Sequence, residues 1–198
     1  MPHGKAEPHA PPLPRQRQTR VGLISDTHGL LRPEALAALE GCARIVHAGD
    51  IGGSRIVASL EAIAPVTAVR GNNDTDAWGR KLPSVARLEV QGVRVLVIHD
   101  IAELDFEHAR ATADVVVCGH SHKPRVVDEE GLLVVNPGSA GPRRFTLPIQ
   151  LAYLHVDGGG VRVEMVPLGG ATPPSCTPAR TRAGRPGSAP PPSRPPRR

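Results

Sequence analysis

Apolar residues fall into short β-branched runs separated by amphipathic stretches. Residues 20–25 predict a buried strand, and residues 33–41 a helix with Pro at its start and Gly at its end. Arg44–His47 predicts a second strand, residues 54–63 a second helix with Ser54 as N-cap, and residues 66–69 a third strand. Beyond a polar loop, strands dominate. Val85–Val90 and Val93–Ile98 flank a Gln91-Gly92 turn and predict a hairpin. Residues 105–112 predict a helix and residues 114–118 a strand. Residues 125–127 and 132–135 flank an acidic turn at 128–131, and residues 149–156 and 161–166 flank another at 157–160. The N-terminal half is thus βαβαβ and the C-terminal half mostly hairpins. Strands so dense in Val and Leu, lying between helices, imply sheets buried on both faces, and two packed sheets with helices outside accommodate this.

The polar residues that can bind metal cluster where these strands end. Asp26 and His28 follow the first strand, Asp50 the second after Ala48-Gly49, and Asn72 the third after Gly71. His99 follows Val93–Ile98, and His120 and His122 follow residues 114–118 after Gly119. In α/β sheets the carboxyl ends of strands form the crevice where ligands bind, which brings these scattered positions to one rim. Carboxylate, amide oxygen and imidazole without thiolate suit two borderline-to-hard divalent ions, and an Asp in the middle of the set can bridge them. Gly49, Gly71 and Gly119 keep the backbone small beside the ions.

In order, Asp26-Thr-His28, Gly49-Asp50, Gly71-Asn72, His99 and Gly119-His-Ser-His122 resemble the motif series of calcineurin-like metallophosphoesterases. The core from about Arg20 to Val166 resembles the small prokaryotic phosphodiesterase branch of that superfamily. The resemblance implies an α/β four-layer αββα sandwich of two mixed β-sheets. It also implies one ion held by Asp26, His28 and His122 and another by Asn72, His99 and His120, with Asp50 bridging. Manganese is the implied ion, with iron, zinc, nickel or cobalt as other occupants. Two such cations acidify a shared water, and a bridging hydroxide would attack a small phosphodiester in line.

Asp50, Asn73 and Asp74 form the candidate catalytic set. The position after the ligand Asn often holds a His thought to assist the leaving group, but here it is Asn73, a neutral amide that cannot act as a general acid. That favours diesters with good leaving groups, or slow turnover. Asp100 stands where the family more often has Gly, and could support a histidine or repel a substrate phosphate.

Composition changes the picture at the ends. Residues 1–19 and 169–198 are rich in Pro and Arg, which predicts two disordered tails around a domain at 20–168. The net charge of +5 divides into +3 on residues 1–20, +6 on residues 171–198 and −4 between them. Basicity therefore belongs to the tails, which could hold polyanions weakly and nonspecifically. With two Phe, one Tyr and one Trp, the chain is poorly equipped to stack along a nucleic-acid strand, which disfavours a nuclease. Cys42, Cys118 and Cys176 show no paired spacing, so no disulfide framework is expected. No signal peptide or bilayer-length apolar run is evident, so a cytoplasmic protein without membrane contact is expected, with a homo-oligomer left open.

Other residues have blander readings. His47 reads as packing near the site, His108 and His155 as surface or strand positions, and His3 and His9 as tail residues. Asn136-Pro-Gly-Ser139 reads as a turn, with a supporting role near the metals as the alternative. Arg143 and Arg144 read as solvated surface rather than phosphate binders, and Trp78 as either a loop anchor or a pocket wall. A second function class, a non-catalytic scaffold of the same fold, has a precedent in a retromer subunit that works by protein binding.

Overall fold

The computed structural model describes residues 18–158 and 160–169. Nearly all of both predicted tails, with His3, His9 and Cys176, lies outside the described residues. Among the described residues, ten strands form two five-stranded sheets. The first has the order β10 (Gly160–Pro167), β9 (Gln150–Asp157), β1 (Thr19–Ile24), β2 (Arg44–His47), β3 (Val66–Ala68). The second runs β4 (Val85–Val90), β5 (Val93–Ile98), β6 (Val115–Val117), β8 (Leu132–Asn136), β7 (Arg125–Glu129). Each sheet has three parallel strands (β1, β2, β3 and β5, β6, β8) with antiparallel partners at its margin, so both are mixed.

Period-two alternation explains the layering. Val95 and Val97 of β5 face inward with Val21, Leu23, Val46, Val117, Leu133 and Leu154, forming the core between the sheets. Leu96 and Ile98 of the same strand face outward and pack with Ala109 of helix α3 (Phe106–Thr112). On the other outer face Ile24, Ile45 and Leu151 pack against Leu39 of α1 (Pro33–Leu39) and Leu60 of α2 (Ser54–Glu61). Three apolar cores separating α, β, β and α layers make the four-layer sandwich.

The expected hairpins around Gln91-Gly92 and Glu130-Gly131 are present, and both residues of each pair have positive φ (48° and 82°, 56° and 88°). That is the backbone of a type I′ turn. The second half is not simply a series of hairpins, however. α3 crosses over so that β5 and β6 run parallel, β8 pairs parallel with β6, and β9 returns to lie antiparallel to β1. Local alternation carries no record of such long-range pairing. Ser54 is the first residue of α2 rather than its cap: Gly53 precedes the helix and no side chain caps it. Asp105 does cap α3, its carboxylate accepting from the His108 N–H at 3.0 Å. Short 3-10 turns at Gly79–Lys81 and Ile101–Glu103 had no clear sequence signal. Trp78, beside the first of these, is partly buried in the outer core, which makes it a loop anchor. Among the described residues no helix is long and apolar enough to cross a membrane.

The core between the sheets should dominate stability. Leu154 is fully buried there, so Leu154→Ala should cost about 2–5 kcal/mol in urea unfolding. The ion pair between Arg94 and Asp114, 2.8 Å apart, is more than a third exposed at both side chains, so Asp114→Ala should cost under about 1 kcal/mol. Hydrogen bonds from Arg94 hold the Asp114 carboxyl below its usual value, so that smaller increment is present above about pH 4 and is lost as pH falls through the lowered folded value.

Candidate metal centre

The strand exits that carry the polar residues are tied to one another. β1 and β2 stay zipped past their ends: Ala48 N–H donates to Ile24 at 2.9 Å, Asp26 to Gly49 at 3.0 Å, and His28 to Asp50 at 2.9 Å. In the second sheet Gly119 N–H donates to the His99 carbonyl at 2.9 Å. The two sheets are joined at this edge by His99, whose Nδ1 donates to the Ala48 carbonyl at 2.7 Å. A carbonyl can only accept, so Nδ1 carries the proton and Nε2 faces the cluster.

Asp26, His28 and His122 form one group, and Asp26, Asp50 and His99 another, with ligand atoms in each lying within 4.8 Å of one another. The Nε2 atoms of His28 and His122 are 3.3 Å apart on nearly parallel rings, and His122 Nε2 is 3.3 Å from Asp26 Oδ1. Asp50 Oδ2 is 3.5 Å from His99 Nε2 and 3.8 Å from His28 Nε2, which puts it between the two groups. Asn72 Oδ1 lies 3.1 Å from His99 Nε2 and 3.0 Å from His120 Nδ1. All seven candidate ligands therefore converge. His120 and Asn72 are the exposed members of the set, His120 with 47 % of its side chain exposed, and His120 Nε2 lies 3.7 Å from Asp100 Oδ2. Asp100 thus stands beside a histidine, and with Glu103, Arg70 and Ser84 it lines a cavity of about 130 Å³ next to Asn72 and His120.

The donor set fits divalent cations on two counts. Both oxygens of the buried Asp26 carboxylate lack a hydrogen bond. Buried polar atoms are normally satisfied, and orphaned ones at a cluster of ligand types mark a place for a cation. The backbone is also strained where the ligands sit. Asp26, His28, Asp50, His120 and His122 all have φ between 46° and 64°, a region non-glycine residues seldom adopt. Close approach demands the glycines: an added Cβ at Gly71 would overlap the Asp50 carboxylate, and one at Gly119 would overlap Ser25 Oγ.

Several neighbours hold the cluster in place. Asn73 donates to Asp50 through its backbone N–H at 2.8 Å and its side-chain amide at 2.6 Å. Asp74, grouped with the catalytic candidates on sequence grounds, is buried, and its oxygens accept from the backbone N–H groups of Ile51, Gly52 and Gly71 at 2.9 to 3.1 Å. Its carboxylate braces the Asp50 loop against the Asn72 loop. His47 sits directly beneath. Thr27 gives its one hydroxyl proton to the Ile51 carbonyl at 2.8 Å, so His47 Nε2 is the donor in its 2.9 Å bond to Thr27.

Asn136-Pro-Gly-Ser139 does more than turn the chain. Asn136 donates to the Gly119 carbonyl at 2.6 Å, and Ser139 donates to the Asp26 carbonyl at 3.0 Å, so one loop secures both ligand loops. Arg144, read from sequence as solvated surface, brings Nη2 to 3.4 Å from His28 Nε2. His108 is exposed beside Arg87, and His155 pairs with Glu164 at 2.9 Å on β9, away from the cluster.

Burial and charge set the protonation states. Burial pushes the Asp26 carboxyl up to about 6 and lowers His28 below its usual value. Burial, then Arg144, lowers His122 to about 4, and burial holds His47 at about 3. For Asp50, burial alone would raise the pKa, but hydrogen bonds from His99 and Asn73 outweigh it and hold the carboxylate well below the usual range. Burial likewise acts to lower His99, yet the hydrogen bonds to Asp50 and Ala48 carry it above an ordinary imidazole. At neutral pH two imidazoles are therefore neutral, with lone pairs available, beside two carboxylates.

The calcineurin-like phosphoesterase superfamily domain matches residues 19–159. The chain belongs to the calcineurin-like phosphoesterase superfamily. A probable metallophosphoesterase of Methanothermobacter thermautotrophicus is 34 % identical over 161 residues, covering 75 % of this chain and 92 % of the relative. A phosphodiesterase of Methanocaldococcus jannaschii is 25 % identical over 138 residues, covering 60 % of this chain and 82 % of the relative. The structure of vacuolar protein sorting 29 from Cryptosporidium parvum shares the fold, with a TM-score of 0.66 at 21 % identity over 76 % of this chain and 92 % of that one. The superfamily binds divalent metals, and the candidate ligand groups of this metallophosphoesterase lie on the strand ends where the motif series predicted them.

Metal uptake by this metallophosphoesterase should release protons in a pH-dependent way. With burial raising its pKa to about 6, Asp26 holds a proton below that pH that a divalent cation must displace, and largely lacks it well above. Calorimetric titration of the metal-free protein in buffers of different ionisation enthalpy should show more protons released at pH 5.5 than at pH 7.5. Apparent affinity should be weaker at the lower pH. An equal proton count at both would mean that Asp26 does not change its protonation on binding.

Proposed function

We propose that this metallophosphoesterase is a phosphodiesterase with a dinuclear centre, acting on a small phosphodiester. The observation that carries the reading is the buried Asp26 carboxylate without a hydrogen bond, set beside two imidazole nitrogens 3.3 Å apart. Asp26, His28 and His122 would hold one cation and Asn72, His99 and His120 the other, with Asp50 shared. Manganese is the first choice, and iron, zinc, nickel or cobalt would also suit these donors. Such cations supply an acidified water as nucleophile and neutralise charge on the phosphoryl oxygens. In-line displacement would form a P–O bond to oxygen derived from water as the opposite ester P–O bond breaks, giving a phosphomonoester and the leaving group as its anion, which solvent then protonates.

The chain's own residues prepare this. Asn73 fixes the Asp50 carboxylate through two hydrogen bonds, and Asp74 fixes the loop that carries it. Asn73 has no proton to give a departing oxygen, so the leaving group departs largely as its anion. Phenolate-like groups suit that better than alkoxides. A scaffold function has in its favour the fold shared with vacuolar protein sorting 29. Against it, all seven ligand-type side chains are retained and converge.

Purified protein should contain a transition metal and hydrolyse bis(p-nitrophenyl) phosphate in manganese, and Asp50→Asn should lower the rate by about 100-fold or more. A wild type with neither metal nor activity would leave the scaffold reading. Asn73→His should raise turnover on diesters with alkyl leaving groups by about tenfold or more, with less gain on p-nitrophenyl esters. Equal gains on both classes would mean that proton donation to the leaving group is not what Asn73 lacks.

A further inference from the structure

Among the described residues, eight non-glycine residues have left-handed backbone. Gln91 and Glu130 form hairpin turns, and five others are candidate ligands. Phe145, at φ 52°, is not a candidate ligand; it stands in a turn that the Leu147 N–H closes by donating to the Arg144 carbonyl at 3.1 Å. A bulky residue seldom takes such a position in a turn, where Gly or Asn is usual. Phe145 is also 89 % exposed, and the other exposed large apolar residue among those described is Leu30, at 40 %. Leu30 stands two residues after His28, and Phe145 directly follows Arg144.

The loops carrying these residues are tied together. Arg32 donates from Nε and Nη2 to the Gly141 carbonyl at 3.3 and 3.2 Å. The Ala140 N–H donates to the Ser25 carbonyl at 3.0 Å, next to Asp26. This anchoring delivers the Arg144 guanidinium to 3.4 Å from His28 Nε2. A guanidinium beside a ligand imidazole is placed to meet a phosphoryl oxygen held at the centre, and its planar fork matches phosphate. The next residue, Phe145, carries the most exposed apolar side chain among the described residues.

We propose that residues 141–145 form the substrate-docking rim: Arg144 takes a phosphoryl oxygen, and Phe145 stacks on a flat aromatic group, an aryl ring or nucleobase, borne by the diester. The proposal rests on the phosphodiesterase reading above. A single ring suits a small ester rather than a strand. Tyr153 is buried, and Trp78 and Phe106 are packed against the outer cores, so none of them extends the platform.

The test uses the full chain in manganese and two diesters with the same p-nitrophenolate leaving group, phenyl p-nitrophenyl phosphate and methyl p-nitrophenyl phosphate. Phe145→Ala should reduce the preference in kcat/KM for the phenyl over the methyl diester by about fivefold or more. Arg144→Met should raise KM for both and weaken competition by inorganic phosphate by about tenfold, with Arg144→Lys recovering part of the loss. An unchanged phenyl preference in Phe145→Ala, or unchanged phosphate competition in Arg144→Met, would overturn the proposal. So would loss of manganese from Arg144→Met, which would make Arg144 a support of the metal site. Dissociation of an oligomer by Phe145→Ala in sedimentation would assign the ring to a contact between copies. If the wild type hydrolyses neither diester, the phosphodiesterase reading fails by itself. Calorimetric phosphate binding to the manganese-loaded wild type and Arg144→Met then decides the rim separately.

Discussion

β1 is the central strand of its sheet, and it ends in a carboxylate that water cannot reach and no hydrogen bond relieves. Burying a charge in this way is unfavourable unless a proton or a cation shares it. The geometry around Asp26 follows from that constraint. His122 and His28 turn their Nε2 atoms to the same point, Asp50 stands behind them, and the pKa of Asp26 rises to about 6 in their midst. A divalent cation resolves the conflict that a proton only partly resolves.

The constraint reaches the backbone as well. Five of the seven candidate ligands adopt a left-handed conformation that an unsupported loop would abandon. What holds them is a lattice of hydrogen bonds between loops. Asp74 gathers three backbone amides from two exits, Asn136 and Ser139 secure two others, and His99 bridges the sheets through Ala48. Behind the loops, the Val-rich core between the sheets fixes where each strand ends. Packing energy in the sandwich is thereby converted into precision at its edge.

The same architecture supports different work in different relatives, and vacuolar protein sorting 29 shares it at 21 % identity. Function therefore turns on the side chains at the rim. In this metallophosphoesterase all seven candidate ligands converge, the position after Asn72 holds an amide that braces Asp50, and Arg144 lies 3.4 Å from His28. Those three features are the ones on which the proposed phosphodiesterase reading rests.

Much of this was legible in the sequence. The strand runs, the two Gly-containing turns and the order of Asp, His and Asn after successive strands depend on local spacing, and local spacing is what a sequence records. Ser54 was misread because a Ser before an apolar run signals a cap whether or not the preceding Gly takes that place. Tertiary structure alone decided that β9 returns to pair with β1 and that β8 lies beside β6. It also decided that Asp74 is a brace, that Asn136 and Ser139 bind the ligand loops, and that Arg144 reaches His28. Each of these joins residues from about 20 to more than 100 positions apart, apart from Asp74 to Gly71. Contacts across such distances are chosen by the packing of two sheets and leave no periodic trace. The sequence determined which chemistry could occur, because residue type sets the ligands. The fold decided which residues take part, because only closure of the sandwich brings their atoms within reach.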